Sequence, residues 1–390
     1  MSPGSGDDDR RPSSHDPPAT SPEPPASSPK AVASDLSEAE LIARISERLP
    51  ASPPWLTVGI GDDAAVVEPE RNRLEVLSVD ALVDGIHFDR TFTPPAAIGH
   101  RALAVNLSDL AAMGATPRLA LLSMALPGSL PIDDFDGIVD SLVALAARFR
   151  LTIVGGNLTR IAGPLVIDIT VVGTVKRRQV LTRSGARPGD DLYVSGSVGS
   201  ATAGLAMLRA WTNRAAAGDT GGAEGNGAPP GDREQADLWS ARPVPPEMEQ
   251  CIQRYLYPEP RLRLGTLLGH NRAATACMDL SDGLAEAVRQ LADQSGVGAA
   301  IDADVVPIDQ AARGWFERCG TDPIVEAITG GDDYELVFAV RPRLRGRFRA
   351  VARHGAVPLT RIGSCTADRA LVLRRDGKDL PLPRGFTHFR

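Results

Sequence analysis

Aspartate is the residue type whose placement in this chain invites a chemical reading. Asp62 and Asp63 stand side by side in VGIGDDAAVV (58–67), and TGGDDYELVF (329–338) repeats the arrangement with Asp332 and Asp333. Asp80, Asp84, Asp109, Asp279 and Asp282 place further carboxylates beside Gly, Ser or an apolar run. Two carboxylates about 4 Å apart repel by roughly 4 kcal/mol at an effective dielectric near 20, a cost removed when a divalent cation sits between them. Oxygen-only ligation by carboxylates and hydroxyls selects hard cations, and Mg2+ typically keeps waters and bridges to substrate phosphates. For any one aspartate alone a helix cap or a turn is the plainer explanation, above all for Ser281-Asp282-Gly283. The run Asp7-Asp8-Asp9 is a control, since there the same residue type means solvation. Several clusters with the same Gly/Ser/Asp chemistry shift the balance to a Mg2+-dependent enzyme of nucleotide phosphates, its acceptor unnamed.

Other chemistries leave no trace in the sequence. It contains no G-x-x-x-x-G-K-[ST], no H-R-D or D-F-G set, no H-E-x-x-H and no G-x-S-x-G. SGSVGSATAG (195–204) could hold an anion on backbone N–H groups, but a loop that permits tight packing is the better reading. Cys251, Cys277, Cys319 and Cys365 are far apart with no C-x-x-C spacing, which suggests neither a zinc site nor a disulfide framework and fits a reducing cytoplasm. A net charge of −7 without a basic cluster interleaved with aromatics argues against a nucleic-acid partner. No stretch reaches the roughly 18 uninterrupted apolar residues of a membrane span, and the first residues lack a basic region followed by an apolar one, so neither secretion nor membrane insertion is expected.

The elements that must position these carboxylates follow from pattern. At 390 residues the chain has room for two domains, and 43% hydrophobic with only 4% aromatic residues suits an α/β enzyme. Residues 1–33, rich in Pro, Ser and Asp, are expected to form a disordered tail. A capped helix follows, with Leu36, Ile42, Ile45 and Leu49 at helical spacing. Strands are expected at 63–68, 74–80, 118–126 and 165–175, with helices near 96–113 and 132–149. These belong to an N-terminal domain over 34–178. A C-terminal domain over 179–390 carries a Gly/Pro-rich insertion at 212–247 whose removal the enzyme should tolerate. Leu-Ser-Asp occurs once in each half, at 107–109 and 280–282, a faint hint that the halves are related.

GIGDDAAVV, SVDALVDGIHF, ALAVNLSDLAAMGATP, VVGGNLTR, LTRSGARPGD, MDLSDGL and GGDDYEL occur in an order and approximate spacing that resembles thiamine-monophosphate kinase. The likeness spans about 34–390 apart from the insertion. The wider superfamily, which includes aminoimidazole ribonucleotide synthetase, selenophosphate synthetase and a hydrogenase-maturation protein, shares the Asp pattern but not the whole set. The resemblance implies an α/β (α+β), two-domain aminoimidazole ribonucleotide synthetase-like fold. Its N-terminal sheet would pair across a homodimer, with the active site in the cleft between the domains. ATP would donate its γ-phosphate to thiamine monophosphate.

By motif position, Asp63, Ser78, Val79, Asp80, Asp109, Asn157, Asp279 and Asp282 would ligate several Mg2+ ions, with Asp63, Asp80, Asp109 and Asp279 central to catalysis. Gly156, Asn157, Arg183 and Ser281 would contact ATP. His87, Asp332 and Phe386 would face thiamine monophosphate, Phe386 by stacking. Without the resemblance, His87 reads as a packed strand residue, Arg183 as a surface charge and Phe386 as core. Three positions depart from the family: Asn157 stands for an aspartate, Val79 for a threonine and Asp332 for a glutamate. Asn157 still offers a carbonyl oxygen, but without charge, so its ion should bind more weakly.

The acceptor, a phosphate monoester with a second pKa near about 6, is already largely dianionic at neutral pH, so no general base is required. The rival expectations are a superfamily enzyme with another acceptor and a catalytically silent nucleotide-binding dimer. Selenophosphate synthetase is disfavoured, because the chain has no Cys before Cys251.

Overall fold

The computed structural model describes residues 31–216 and 246–385. Helix α1 (Glu38–Arg48) opens with a capping box in which Ser37 and Glu40 satisfy each other's backbone N–H groups. Short strands β1 (Leu56–Val58) and β2 (Val66–Val67) form a small sheet of their own, so Asp62 and Asp63 lie in the loop between them and not on a strand from 63. Then come β3 (Leu74–Val83), α2 (Pro95–Ala112), β4 (Thr116–Pro127), α3 (Ile132–Arg148), β5 (Thr152–Ile161) and β6 (Val166–Val175). The larger strands and helices lie within a few residues of their expected places. β5 was unforeseen, because Gly155, Gly156 and Asn157 interrupt its β-prone pattern. Gly156 is required there: a Cβ at this position would collide with the Leu122 carbonyl of β4.

These strands form a four-stranded sheet in the order β3-β6-β4-β5, parallel only between β4 and β5. Helices α2 and α3 cover one face. α2 begins with Pro95, whose missing N–H costs nothing in a first turn, and is buried along almost its whole length. A helix apolar on nearly every side belongs between two layers, and α2 packs on β3, β6 and α3 and also on elements of the second half.

The second half contains β7 (Asp191–Ser195), α4 (Ser200–Ala216), α5 (Pro246–Leu256), α6 (Leu262–Asn271), β8 (Ala276–Asp279), α7 (Leu284–Ser295) and β9 (Gly298–Asp302). It continues with α8 (Gln310–Arg318), α9 (Pro323–Thr329), β10 (Leu336–Val340), α10 (Arg345–His354), β11 (Leu359–Thr366), β12 (Leu371–Arg375) and β13 (Lys378–Pro381). The seven strands form one sheet, β13-β12-β9-β11-β7-β10-β8, antiparallel except for β12 on β9. Helical structure reaches Ala216 and resumes at Pro246, both inside the segment 212–247 read as insertion, and 217–245 lies outside the described residues, as does 1–30 of the tail expected over 1–33. The end of that tail is ordered, with Ala33 buried and its N–H donating to the Leu130 carbonyl at 2.7 Å. One hydrophobic cluster joins Ile98 and Leu103 of α2 to Leu264 of α6, Cys277 of β8 and Phe338 of β10, so the halves share a core at this helix. The two Leu-Ser-Asp copies do not correspond structurally. The first lies in α2, the second in the loop after β8.

Candidate active site

Two neighbouring clusters hold most of the singled-out residues. The first lies where α2 meets β3 and β8. Ser78 Oγ donates a short hydrogen bond to Asp109 Oδ2, and Ser108 Oγ donates to Asp279 Oδ2 at 2.8 Å. Asn106 accepts from the Asp80 backbone N–H at 3.1 Å and donates to the Ala102 carbonyl, which fixes the strand against the helix. Loss of hydration, then the charges of Asp109 and Asp279, pushes the Asp80 carboxyl up to about 7. Burial and the Asp109 charge push Asp279 up to about 7 as well. Asp109 is also raised, by burial, while Ser78 and the Arg183 charge pull it back. Arg183 is exposed and donates to Gln290 at 2.9 Å, and its charge lowers the Asp109 and Asp279 carboxyls.

The second cluster lines a cavity of about 920 Å3 on the uncovered face of the four-stranded sheet, closed by α1 and the 59–65 loop. Glu38, Asp62, Asp63, Ser123, Asn157, Asp168 and Thr170 supply its polar wall. Register puts Asn157 and Asp168 on either side of Ser123 in one row across β5, β4 and β6, and directly paired residues share a face. Asp62 Oδ1 accepts from the Asp63 N–H at 2.8 Å, so Asp62 shapes its loop and leaves Asp63 to the cavity. Asp168 pairs with Ala81, the neighbour of Asp80, so the two carboxylates lie on opposite faces of the sheet, and the Asp168 charge adds only a small upward push to Asp80. Val79 is exposed on the same uncovered face and offers only its carbonyl as a cation ligand.

The Gly-Asp-Asp of the second half divides its work differently. Asp333 is buried and accepts from Gly199 N–H at 2.7 Å and Ala201 N–H at 3.1 Å, so the anion at the start of α4 is the protein's own. That start requires Gly199, at φ +87°, where a Cβ would strike Ala327. SGSVGSATAG is thus a packing loop. Asp332, at φ 68°, pairs with Arg101 and accepts from the Tyr334 hydroxyl at 3.1 Å. Ser281 accepts the Asp332 N–H on its carbonyl, and the cap of α7 is Gly283, without a side-chain hydrogen bond, so Asp282 is not the helix cap its sequence suggests. His87 sits in the turn after β3, its Nδ1 accepting from Val83 N–H at 3.1 Å, and is no strand residue. Phe386 lies outside the described residues.

Sequence reasoning overlooked Asn106, Ser108, Asp168 and Arg101. The first two sit inside the quoted ALAVNLSDLAAMGATP, where only Asp109 drew notice. Asp168 carries no local signal, because its neighbours in the sheet are far away in the chain.

The donor set consists of oxygen only, as a hard cation requires. Among the described residues no group of three or more His, Cys, Asp or Glu side chains converges on one point, so a protein-only cage is not what they form. They suit Mg2+ that keeps waters and arrives with nucleotide phosphates, each ion using one or two carboxylates.

A pH test follows from the raised carboxyls. In metal-free protein the folded state keeps protons that the unfolded chain releases above about pH 4, so these groups make stability fall as pH rises from about 4 to about 7. Mg2+ needs them ionised. The rise in Tm on replacing EDTA by Mg2+ should therefore be small at pH 6 and larger at pH 8; a pH-independent rise would contradict a cation at this cluster.

Comparison with known proteins agrees with this architecture. The AIR synthase related protein N-terminal domain matches residues 61–175, and the corresponding C-terminal domain matches 187–376, which defines the class as a two-domain AIR synthase related protein. The thiamine-monophosphate kinase of Escherichia coli K12 is 37% identical over 357 residues, covering 90% of this chain and 98% of that protein. The crystal structure of thiamine-monophosphate kinase from Stenotrophomonas maltophilia K279a superposes with a TM-score of 0.71 at 36% identity, covering 88% of this chain and 98% of that one. AaThiL complexed with AMPPCP and TMP gives a TM-score of 0.66 at 29% identity, with 91% of this chain and 98% of that one covered. The chain belongs to the thiamine-monophosphate kinase family.

Proposed function

We propose that the protein transfers the γ-phosphoryl group of ATP to the phosphate of thiamine monophosphate, releasing thiamine diphosphate and ADP. The observation that carries this reading is the meeting of Asp80, Asp109 and the buried Asp279 at the junction of both halves, in a chain of this family. Mg2+, when bound, supplies charge neutralisation of the β- and γ-phosphates. The chain's residues supply placement. Ser78, Asp80, Asp109, Asp279 and Asp282 form one set of oxygen donors, and Asp63, Asn157 and the Val79 carbonyl another, with Asp168 beside them. Asn157 brings no charge, so the second set holds its ion more weakly. Arg183, Gly156 and Ser281 bind the nucleotide. His87, Asp332 and Phe386 receive thiamine monophosphate, whose dianionic phosphate attacks without a protein base.

The fold supports a homodimer: Leu77, Val79 and Leu121 are 66%, 56% and 41% exposed on the uncovered sheet face, an apolar patch that a second copy would bury. Leu77→Glu should shift the sedimentation coefficient from dimer to monomer; a monomeric unmodified protein would overturn the pairing. Cytoplasmic residence accords with four cysteines that are all free thiols. Among the described residues no helix is long and apolar enough to cross a membrane.

Incubation of the purified protein with Mg-ATP and thiamine monophosphate, followed by chromatography, should yield equal amounts of thiamine diphosphate and ADP. Failure to form thiamine diphosphate while another phosphate acceptor is consumed would replace the substrate.

A further inference from the structure

Arg101, on the second turn of α2, is 1% exposed. Its Nη2 donates to Asp332 Oδ1 at 3.2 Å, its Nη1 donates to the Tyr255 carbonyl, and its guanidinium lies 4.4 Å from the Tyr255 ring centroid. Its Nε has no hydrogen-bond partner among the described residues. Burying a guanidinium is expensive, and a well-packed apolar side chain generally serves stability as well or better. Here the single carboxylate offsetting that cost is one-third exposed, at 34%.

The rest of α2 shows what the contact achieves. Ser108 follows Arg101 by seven residues, nearly two turns, so it lies about 10 Å further along the same face of the helix. Arg101 grips Asp332 while Ser108 grips Asp279. Asp279 pairs in register with Leu336, four residues beyond Asp332, so both grips fall at one end of the β8–β10 ladder. Asp332 itself is held in a left-handed backbone conformation, at φ 68°, with its N–H on the Ser281 carbonyl at 2.8 Å.

We infer that Arg101 is a positioning residue for the phosphate acceptor: it fixes the Asp332 carboxylate at a set distance from the Asp109 and Asp279 carboxylates, using α2 as the spacer. This rests on the reading, given above, that Asp332 receives thiamine monophosphate. One rigid helix thereby holds a residue of the acceptor site and residues of the cation site in register, which in-line transfer between two bound substrates requires.

Arg101→Met and Arg101→Lys test it, with thiamine monophosphate and AMPPCP titrated separately by calorimetry and with KM and kcat measured for both substrates. Arg101→Met should weaken thiamine monophosphate binding by about 10-fold or more, the scale of a lost charged hydrogen bond, and raise its KM in step. AMPPCP affinity and the KM for ATP should stay within about twofold. Arg101→Lys should recover part of the loss, and Arg101→Met should add nothing further to Asp332→Asn. Wild-type acceptor affinity in folded Arg101→Met, or an equal loss for acceptor and AMPPCP, would overturn the positioning role. If Arg101→Met does not fold, Arg101→Lys decides by the same comparison. An unmodified protein that binds AMPPCP but not thiamine monophosphate would overturn the reading of the acceptor site, and this inference with it.

Discussion

Asp63→Asn should reduce turnover by about 10^3-fold or more while the protein remains folded. The side chain lines the cavity on the uncovered sheet face, in an exposed loop where Asp62, and not Asp63, makes the structural hydrogen bond. An asparagine keeps size and one oxygen but removes the charge that would hold a cation beside the nucleotide phosphates, and loss of transition-state charge stabilisation of about 4 kcal/mol is about a thousandfold in rate. Exposed loop substitutions of this type change stability by only about 0.5 kcal/mol. The check is thiamine diphosphate formation measured beside thermal unfolding. Normal turnover in the folded variant would remove Asp63 from the cation site. Asp62→Ala would serve as the contrast, with a loss limited to what a loosened loop costs.

Glu335→Ala should cost about 3–5 kcal/mol of folding free energy. Glu335 is fully buried and accepts from Arg254 at 2.5 Å, from Ser195 Oγ at 2.5 Å and from Nε and Nη2 of Arg261. Burial raises its carboxyl, but the Arg261 hydrogen bonds and the Arg261 and Arg254 charges outweigh this and hold it below its usual range. Truncation leaves two cations, 24% and 12% exposed, without their counter-charge, and breaking a buried pair by removing one partner is strongly destabilising. Denaturant unfolding at pH 7.5 measures the loss. A depressed carboxylate pKa stabilises the fold above the unfolded value of about 4.3 and ceases to do so as pH falls through the folded value, so the difference between Glu335→Ala and the unmodified protein should shrink under acid conditions. An unchanged unfolding midpoint at neutral pH would show that the arginines find solvent or other partners once released.

Asp333 and Glu335 lie one and three residues from Asp332 in the GGDDYEL stretch, yet the three acids do different work. One caps a helix, one anchors two arginines and one pairs with the buried arginine of α2. Nothing in the local sequence separates these roles, since they depend on which partner each side chain meets: Gly199 and Ala201 for Asp333, Arg254 and Arg261 for Glu335, Arg101 for Asp332.

What the sequence determined by itself was the alternation of apolar runs into β3, β4, β6, α2 and α3, because periodicity is a property of neighbours along the chain. It also determined which donors the site can offer, carboxylates, hydroxyls and an amide without a histidine or cysteine pattern. Tertiary structure alone decided which aspartates meet. Asp80, Asp109 and Asp279 come from a strand, a helix and a strand of the other half, and Asp168 reaches its place beside Asn157 only through the register of β6 on β4 and β4 on β5. It also decided that β5 is a strand despite its two glycines, because sheet pairing leaves no room for a Cβ at Gly156. Likewise it decided that a buried arginine on α2 answers a carboxylate more than two hundred residues away. Contacts of such separation are set by packing of whole layers, a property that no window of sequence contains.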